Sequence, residues 1–291
     1  MILEVLNQQL WFLLACLMLF GLVVGSFLNV VIYRLPLMME SRWRRDCCEL
    51  LEVEKEAQNE PPMSLATPNS HCPHCKAAVE PWQNIPVISY LILAGKCANC
   101  GVGISIRYPI IEFVTAAMTV ALASQYDASL ALLGAMLFTW SLVALTMIDV
   151  DHQLLPDDIT LPLLWLGILF SLLGATISLQ DAIVGAMLGY LSLWSVYWLF
   201  KLATGKEGMG YGDFKLLAAL GAWLGWQSIP LVILLSSLVG AICGIALMIA
   251  TRRGKDIPIP FGPYLAMAGW ISLMWGDSIM AQYLGATGLQ P

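Results

Sequence analysis

The stretch WFLLACLMLFGLVVGSFLNVVIY, residues 11–33, contains no charged side chain. It is long enough to cross a bilayer as one helix, since a span takes roughly 20 mostly apolar residues. The residues before it include Glu4 but no Lys or Arg, whereas a secretory signal peptide begins with positive charge. The sequence therefore predicts that residues 1–33 form a first transmembrane helix that is retained.

The composition of the whole chain resembles that of this stretch. Of its 291 residues, 59% are hydrophobic and only 12% are charged, and soluble domains carry about twice that charged fraction. The net charge of -6 gives no basic surface for nucleic acid. The composition predicts a polytopic membrane protein that has the lipid bilayer as a partner and does not bind nucleic acid.

Further apolar runs predict an all-α membrane protein of about eight transmembrane helices. The first helix is followed by a polar domain at residues 34–107 and by a membrane domain of about seven helices at residues 108–291. The predicted spans lie near residues 11–33, 109–126, 129–149, 159–178, 182–201, 213–228, 230–251 and 259–284.

The positions of Lys and Arg predict the orientation of these helices. When the spans are counted alternately, all basic residues fall on one side of the membrane, and cytoplasmic loops are the ones enriched in Lys and Arg. The polar domain is then cytoplasmic, and both termini lie on the opposite side. The basic residues are Arg34, Arg42, Arg44, Arg45, Lys55, Lys76, Lys96, Arg107, Lys201, Lys206, Lys215, Arg252, Arg253 and Lys255.

The polar domain contains two Cys-x2-Cys pairs, Cys72 with Cys75 and Cys97 with Cys100, separated by 21 residues. Two such pairs can place four thiolates around one tetrahedral Zn²⁺, and four thiolates also suit iron. Disulfides are the alternative interpretation, but they are rare in the cytoplasm. Because a four-sulfur site has no open position, we expect a structural metal, with the neighbouring His71 and His74 outside its coordination shell.

Two acidic residues stand at predicted helix ends, where ionisable groups at membrane depth indicate function. Asp149 ends the third span and Asp213 opens the sixth, 64 positions later. The topology puts both at the same face of the membrane. Two carboxyl groups brought together share a proton, so that one activates water while the other donates to the substrate. Gly210 and Gly212 would let the backbone approach a substrate closely.

These residues also permit plainer interpretations. An Asp at a helix start is often only an N-cap, and Asp213 could form an ion pair with a residue such as Lys215. Asp157 and Asp158 fit a capping role before the fourth span. Glu112 could pair with Arg107 or contact a substrate.

Taken together, the motifs resemble those of the type IV prepilin peptidases, relatives of the Gly-x-Gly-Asp intramembrane aspartic peptidases. The resemblance covers nearly the whole chain, with several motifs in the same order. They are Gly25–Pro36, the two cysteine pairs, Arg107–Glu112, Asp149 with the later Leu155-Pro156-Asp157, Gly210–Asp213 and Pro260–Tyr264.

The resemblance implies that Asp149 and Asp213 are the catalytic pair of a bacterial inner-membrane enzyme. It implies cleavage of prepilins and of type II secretion pseudopilins at the cytoplasmic face, with both termini periplasmic. It also implies that the new N-terminal amine is methylated by S-adenosylmethionine, for which the sequence shows no glycine-rich fingerprint. We further expect the stretch from Pro260 to Pro263 to break the start of the last span, and its Gly262 and Pro263 to form part of a substrate groove with Gly210, Gly212 and Glu112.

Two other functions compete with this interpretation. Buried acids in a helical bundle also serve ion- or metal-coupled transporters, which would place the acids near mid-membrane and show an internal repeat. A non-enzymatic assembly scaffold with a zinc docking domain would not need either aspartate. The placement of both acids at helix ends favours the peptidase.

Overall fold

The computed structural model describes residues 9–52, 63–206, 208–251 and 260–287. Four of the basic residues used to predict the orientation, Lys55, Arg252, Arg253 and Lys255, lie outside the described residues, as do the ends of both termini.

The described part of the chain is helical and contains eight long helices at the eight predicted positions. Their bounds are α1 Leu10–Leu50, α2 Arg107–Ala121, α3 Leu130–His152, α4 Asp157–Leu172, α5 Leu179–Thr204, α6 Tyr211–Leu224, α7 Ile229–Thr251 and α8 Gly262–Thr287. A short helix, Ile88–Ile92, and single turns at Pro81–Asn84, Leu122–Ser124 and Trp226–Ser228 complete the helical elements. The prediction of an all-α protein is confirmed.

Four of these helical stretches are, by length and composition, apolar enough to cross a membrane. They are Leu10–Leu50, Leu130–His152, Leu179–Thr204 and Trp226–Ala246. Three of the remaining long helices, α2, α4 and α6, are shorter, with 14 to 16 residues each.

The first helix is longer than its apolar run. The run ends at residue 33, but α1 continues through Pro36 to Leu50 and has 41 residues. At 1.5 Å per residue it is about 60 Å long, roughly twice the hydrocarbon thickness of a bilayer. In its polar half, Arg44 and Glu40 form an ion pair at 3.4 Å across one helical turn. Charged residues sustain a helix outside lipid, so the loss of hydrophobicity at residue 33 did not mark the helix end.

The chain divides into two compact units, Met1–Ala123 and Ser124–Pro291. In the first unit α1 and α2 pack backbone against backbone. A Cβ added at Gly21 would lie 2.7 Å from Ala116 Cα, and one at Gly25 would lie 2.8 Å from Glu112 Cα. Small residues permit such close approach between membrane helices.

The second unit is built around α6, which packs against α4, α5 and α8. Nearly every side chain of α6 from Asp213 to Trp223 is buried. Trp223 packs against Phe138 and Phe170 with ring centroids 5.5 and 5.3 Å away, and its Nε1 donates to Leu163 O at 2.8 Å. This core fixes the position of α6 and therefore the position of the residues in its first turn.

Glycines on α5 let that helix lie directly on α6. A Cβ added at Gly185 would clash with the carbonyl oxygen of Gly221, and one at Gly189 would lie 2.5 Å from Leu217 O. Because the obstacles are backbone atoms, a side chain at these positions cannot be accommodated by a rotamer change.

We expect Gly185→Ala to lower stability by about 1–3 kcal/mol, the usual cost of overpacking, because α5 must move away from α6. Thermal unfolding of the purified protein in detergent measures the effect. The matched control is Gly276→Ala in α8, where the nearest atom to an added Cβ is Ser272 Cβ at 3.7 Å. Equal unfolding midpoints for the two variants would contradict the packing described for α5 and α6.

Candidate active site

Asp149 lies in the last turn of α3 and is 5% exposed. The helix ends with Gln153 in the left-handed conformation, whose N–H donates to Asp149 O at 2.9 Å. The Asp149 side chain is held by a different element, because the backbone N–H of Gly262 donates to Asp149 Oδ2 at 3.0 Å. Gly262 is the first residue of α8, where backbone N–H groups have no partner within the helix. The start of α8 therefore supplies a donor that replaces water at this carboxyl group.

Asp213 lies in the first turn of α6 and is 7% exposed. Its backbone N–H lies 3.3 Å from the oxygen of the N-cap residue, Gly210. The positive end of the helix dipole favours a carboxylate at this position. Asp149 is close enough to interact electrostatically with Asp213. The structure thus brings together the two acids that the sequence singled out.

Leu155 separates the two glycines that flank this pair. A Cβ added at Gly212 would lie 2.8 Å from Leu155 Cβ, and one at Gly262 would lie 3.0 Å from Leu155 Cδ2 and 2.6 Å from Asp149 Oδ2. Leu155 is itself buried in the core of the second unit. Packing within the protein therefore leaves no room for a side chain at Gly212 or Gly262. Around Gly210 there is more room, since the nearest atom to an added Cβ is Asp213 Oδ2 at 3.9 Å.

The sequence did not identify Leu155 as a site residue. In the sequence it stands only as part of the Leu-Pro-Asp stretch that follows Asp149. A sequence signal for the left-handed turn after α3 could have indicated Leu155, because this turn folds the loop back toward Asp149. The turn is made by Gln153, however, and glutamine is not a residue type that predicts it. Contacts between Leu155 and glycines more than 50 positions away leave no trace in local sequence.

Lys215 pairs with Asp157. Its Nζ lies 2.7 Å from both Oδ1 and Oδ2 of Asp157, in the first turn of α4. The ion pair of Asp213 with Lys215, which the sequence left open, is therefore replaced by a bridge between α4 and α6. Pro156 is the N-cap residue of α4, and Asp157 and Asp158 stand in its first turn, where acidic groups complement the helix dipole.

Pro263 is the second residue of α8, since the helix begins at Gly262. Proline is favoured in the first turn because its missing N–H would have no helical partner there. The start of the last span is thus set at the position where Gly262 contacts Asp149.

Glu112 belongs to the first unit and is buried in α2. Its Oε2 accepts a hydrogen bond from the backbone N–H of Val87 at 2.8 Å, and the Ser26 side chain also hydrogen-bonds to it. The contact with Val87 was not among those that the sequence suggested for this carboxylate.

The four cysteines converge in the same unit. The sulfurs of Cys72, Cys75, Cys97 and Cys100 all lie within 4.8 Å of one another, with Cys72–Cys100 at 3.8 Å and Cys75–Cys97 at 4.0 Å. A tetrahedral ion with Zn–S bonds of about 2.3 Å separates its sulfurs by about 3.8 Å. The donor set and its spacing therefore fit one zinc or iron ion, and all four are free of disulfides.

The two cysteine pairs sit in matching turns. Cys72 N donates to Ala77 O and Lys76 N donates to Cys72 O, while Cys97 N donates to Val102 O and Gly101 N donates to Cys97 O. Each turn passes through a residue with positive φ, Lys76 at 59° and Gly101 at 70°. The repetition shows that the two halves of the site are built alike.

Hydrogen bonds favour the thiolate form, which binds metals, at Cys75 and Cys97. The Asn99 side-chain amide donates to Cys75 Sγ at 3.5 Å, and this bond together with one from the backbone of Ala77 lowers the pKa of the thiol to about 6. The backbone N–H groups of Cys100 and Asn99 lower the pKa of the Cys97 thiol. His71 and His74 are exposed and are not members of the cluster.

Comparisons with known proteins give concordant matches over both units. The model of the bacterial peptidase A24 N-terminal domain matches residues 19–126, and that of the type IV leader peptidase family matches residues 136–245. No solved structure matches the chain.

Curated relatives with high identity carry one shared name, prepilin leader peptidase/N-methyltransferase. The protein of that name from Aeromonas hydrophila is 55% identical over 284 residues, which cover 98% of each chain. The one from Pseudomonas aeruginosa is 54% identical over 94% of each chain. The one from Legionella pneumophila is 44% identical over 94% of this chain and 96% of its own.

We expect the double variant Cys72→Ser/Cys75→Ser to lose its bound metal, because two of the four sulfur ligands are removed. Inductively coupled plasma mass spectrometry of protein purified without chelators measures the metal content. Cys47→Ser/Cys48→Ser is a matched control, since these two cysteines lie near the end of α1 and outside the cluster. Similar metal content in both double variants would rule out the four-cysteine site.

Proposed function

The chain belongs to the type IV leader peptidase family, and we propose that Asp149 and Asp213 are its catalytic pair. The name shared by its relatives makes it a prepilin peptidase with N-methyltransferase activity, an enzyme that cleaves the leader peptide of prepilins and methylates the new N-terminus. The observation that carries our proposal is the pair of buried, interacting carboxyl groups at the ends of α3 and α6.

The arrangement supports a general acid–base mechanism of peptide hydrolysis. Two neighbouring carboxyl groups with little access to water hold one proton between them. The ionised group takes a proton from water as the water attacks the scissile carbonyl, while the protonated group donates its proton to the carbonyl oxygen. When the tetrahedral intermediate collapses, the first group passes the proton from water to the leaving amine and the second takes its proton back, so that the pair again holds one proton. The Gly262 N–H bond to Asp149 Oδ2 holds the carboxyl group in place for this reaction.

A substrate groove beside the pair would be lined by Gly210, Gly212, Gly262 and Pro263. The open space around Gly210 supports an approach of the substrate backbone from that side. Gly212 and Gly262 would contribute because neither has a side chain that takes up space beside Leu155. Glu112 is a further proposed substrate contact, because it belongs to the Arg107–Glu112 motif, and within its own unit it contacts Val87 and Ser26.

The orientation in the inner membrane follows from basic residues near the acid pair. Lys201 stands in the last turn of α5, and its Nζ lies 3.2 Å from the hydroxyl of Tyr197, whose ring packs on Tyr211 at the start of α6. Lys215 lies one half-turn beyond Asp213. This end of the second unit would therefore face the cytoplasm, and both termini would be periplasmic.

The proposed substrates are prepilins and type II secretion pseudopilins. A substrate with a single hydrophobic helix could reach the pair laterally from lipid while its leader stays in the cytoplasm. The comparisons favour this peptidase over the transporter that the sequence alone had left as an alternative.

Two cofactors belong to the proposal. The four cysteines would hold a structural zinc or iron ion, as their sulfur spacing supports. S-adenosylmethionine would supply the methyl group, which follows from the N-methyltransferase name of the relatives and carries no residue assignment.

We expect Asp149→Asn and Asp213→Asn each to reduce cleavage of a prepilin at least about a hundredfold, the lower range for loss of a general acid or base. The amide keeps the shape of the side chain but cannot exchange the proton. Leader cleavage in lipid vesicles, followed by mass spectrometry, measures the effect. Asp127→Asn, which changes an exposed loop aspartate in the same way, is the control.

Methyl transfer to a substrate that has already been cleaved provides a check on folding, because the proposal gives the acid pair no part in that reaction. An Asn variant that methylates but does not cleave supports the proposal. Cleavage by either variant at a rate near that of the wild type would refute it.

We expect Gly262→Ala to impair cleavage by about a hundredfold, the effect that a displacement of about 1 Å can have on a catalytic group. The added Cβ would lie 2.6 Å from Asp149 Oδ2 and would push the carboxylate away from its N–H donor. The same cleavage assay measures the loss, with Gly276→Ala in the same helix as control. Normal cleavage by a well-folded Gly262→Ala enzyme would show that the contact with α8 does not position Asp149.

A further inference from the structure

An uncharged segment interrupts the polar region between α1 and α2. Residues 85–95, IPVISYLILAG, contain no Asp, Glu, Lys or Arg. An apolar run of roughly 10–14 residues is too short to span a bilayer and is typical of core helices or of re-entrant and interfacial segments. Its surroundings in the structure distinguish between these possibilities.

The short helix Ile88–Ile92 directs its apolar face outward. Ile88, Leu91 and Ile92 stand on one side of the helix, at spacings of three and four residues. Leu91 is 70% exposed and Ile92 is 68% exposed, whereas Ser89 is buried. The segment is therefore not a core helix, because its apolar side chains Ile88, Leu91 and Ile92 are largely exposed.

Contacts with α1 and α2 indicate the depth of the helix Ile88–Ile92 relative to the apolar run of α1. Val87 N donates to Glu112 Oε2 at 2.8 Å, and Ser26 of α1 hydrogen-bonds to the same carboxylate. Ser26 lies eight residues before Arg34, which corresponds to about 12 Å along the helix axis. The helix Ile88–Ile92 thus starts near the level of Ser26, about 12 Å from Arg34, the first charged residue after the apolar run.

A strained turn holds the segment at that level. Val87 has φ 59° and ψ -47°, and Ile88 N donates to Pro86 O at 2.5 Å, which is the geometry of a γ-turn that non-glycine residues rarely adopt. The bond from Val87 N to the buried Glu112 carboxylate stabilises this turn. At its other side, the Tyr90 hydroxyl donates to Ile104 O at 3.4 Å, just before α2 begins.

The two spans beside the short helix also expose apolar side chains near its level. Phe27 on α1 and Ile110 and Phe113 on α2 are also exposed, and they lie within one or two turns of Ser26 and Glu112. A bilayer that covers these side chains around α1 reaches the level of Val87 as well.

We propose that residues 85–95 form a re-entrant interfacial segment that inserts Ile88, Leu91 and Ile92 into the acyl-chain region of the bilayer. The segment anchors the four-cysteine region at the membrane surface, with Glu112 as the residue that fixes its depth. The occupant of this apolar face is lipid, and neither a second copy of the chain nor a substrate is required.

The test is photo-crosslinking in vesicles of phosphatidylethanolamine and phosphatidylglycerol, with p-benzoylphenylalanine placed at Leu91 or Ile92. The positive control carries the probe at Phe27, on the apolar half of α1. The negative control carries it at Ala98, an exposed residue between Cys97 and Cys100. Intact-protein mass spectrometry after irradiation detects the addition of one phospholipid mass.

We expect lipid adducts at Leu91 and Ile92 with a yield within about threefold of that at Phe27, and at least tenfold above that at Ala98. A yield at Leu91 and Ile92 as low as at Ala98 would overturn the proposal. So would a protein–protein adduct at these positions, with the chain itself or with an added prepilin, in place of the lipid adduct. Because the readout is independent of cleavage, the outcome does not depend on the assignment of the aspartates.

Discussion

A carboxyl group buried in a helical bundle loses its water, and the protein must supply donors or let the group share a proton. The second unit meets this requirement with helix starts, whose backbone N–H groups have no partner within the helix. The first residue of α8 donates to Asp149, and Asp213 stands in the first turn of α6. The end of one helix and the beginnings of two others therefore have to meet at one point. The packing of α6 against its neighbouring helices holds these helix ends in place.

Small residues allow these three helix ends to approach one another closely. Gly262 admits the Asp149 carboxylate, and Leu155 fills the space between Gly262 and Gly212. Behind them, Gly185 lets α5 lie directly on α6, and the aromatic cluster around Trp223 surrounds the other end of α6. Burial of α6 on nearly all sides fixes its position, and the first turn of this helix therefore holds Asp213 at a defined place.

The features that could be predicted from the sequence are those recorded locally or by composition. Runs of apolar residues located the long helices, the Cys-x2-Cys spacing located the four-sulfur cluster, and two acids at helix ends located the buried pair. Contacts between distant residues could not be predicted, such as the bond between Gly262 and Asp149, which are 113 positions apart. The extension of α1 to Leu50 was missed because hydrophobicity marks the end of an apolar surface but not the end of a helix.

The motifs of the first unit support its backbone, in contrast to the acids of the second. Asn29 Nδ2 donates to Tyr108 O at 3.2 Å, and the buried Arg34 guanidinium donates to Ser64 O at 3.0 Å and Pro68 O at 2.7 Å. Glu112 accepts from Val87 N. Asn29 thus satisfies a backbone group at the start of α2, while Arg34 and Glu112 satisfy backbone groups of the segments before and between the two cysteine pairs, and such groups are costly to bury without a partner. Replacing Arg34 would therefore disturb the loop before the four-cysteine region first, and an effect on catalysis would follow from that disturbance.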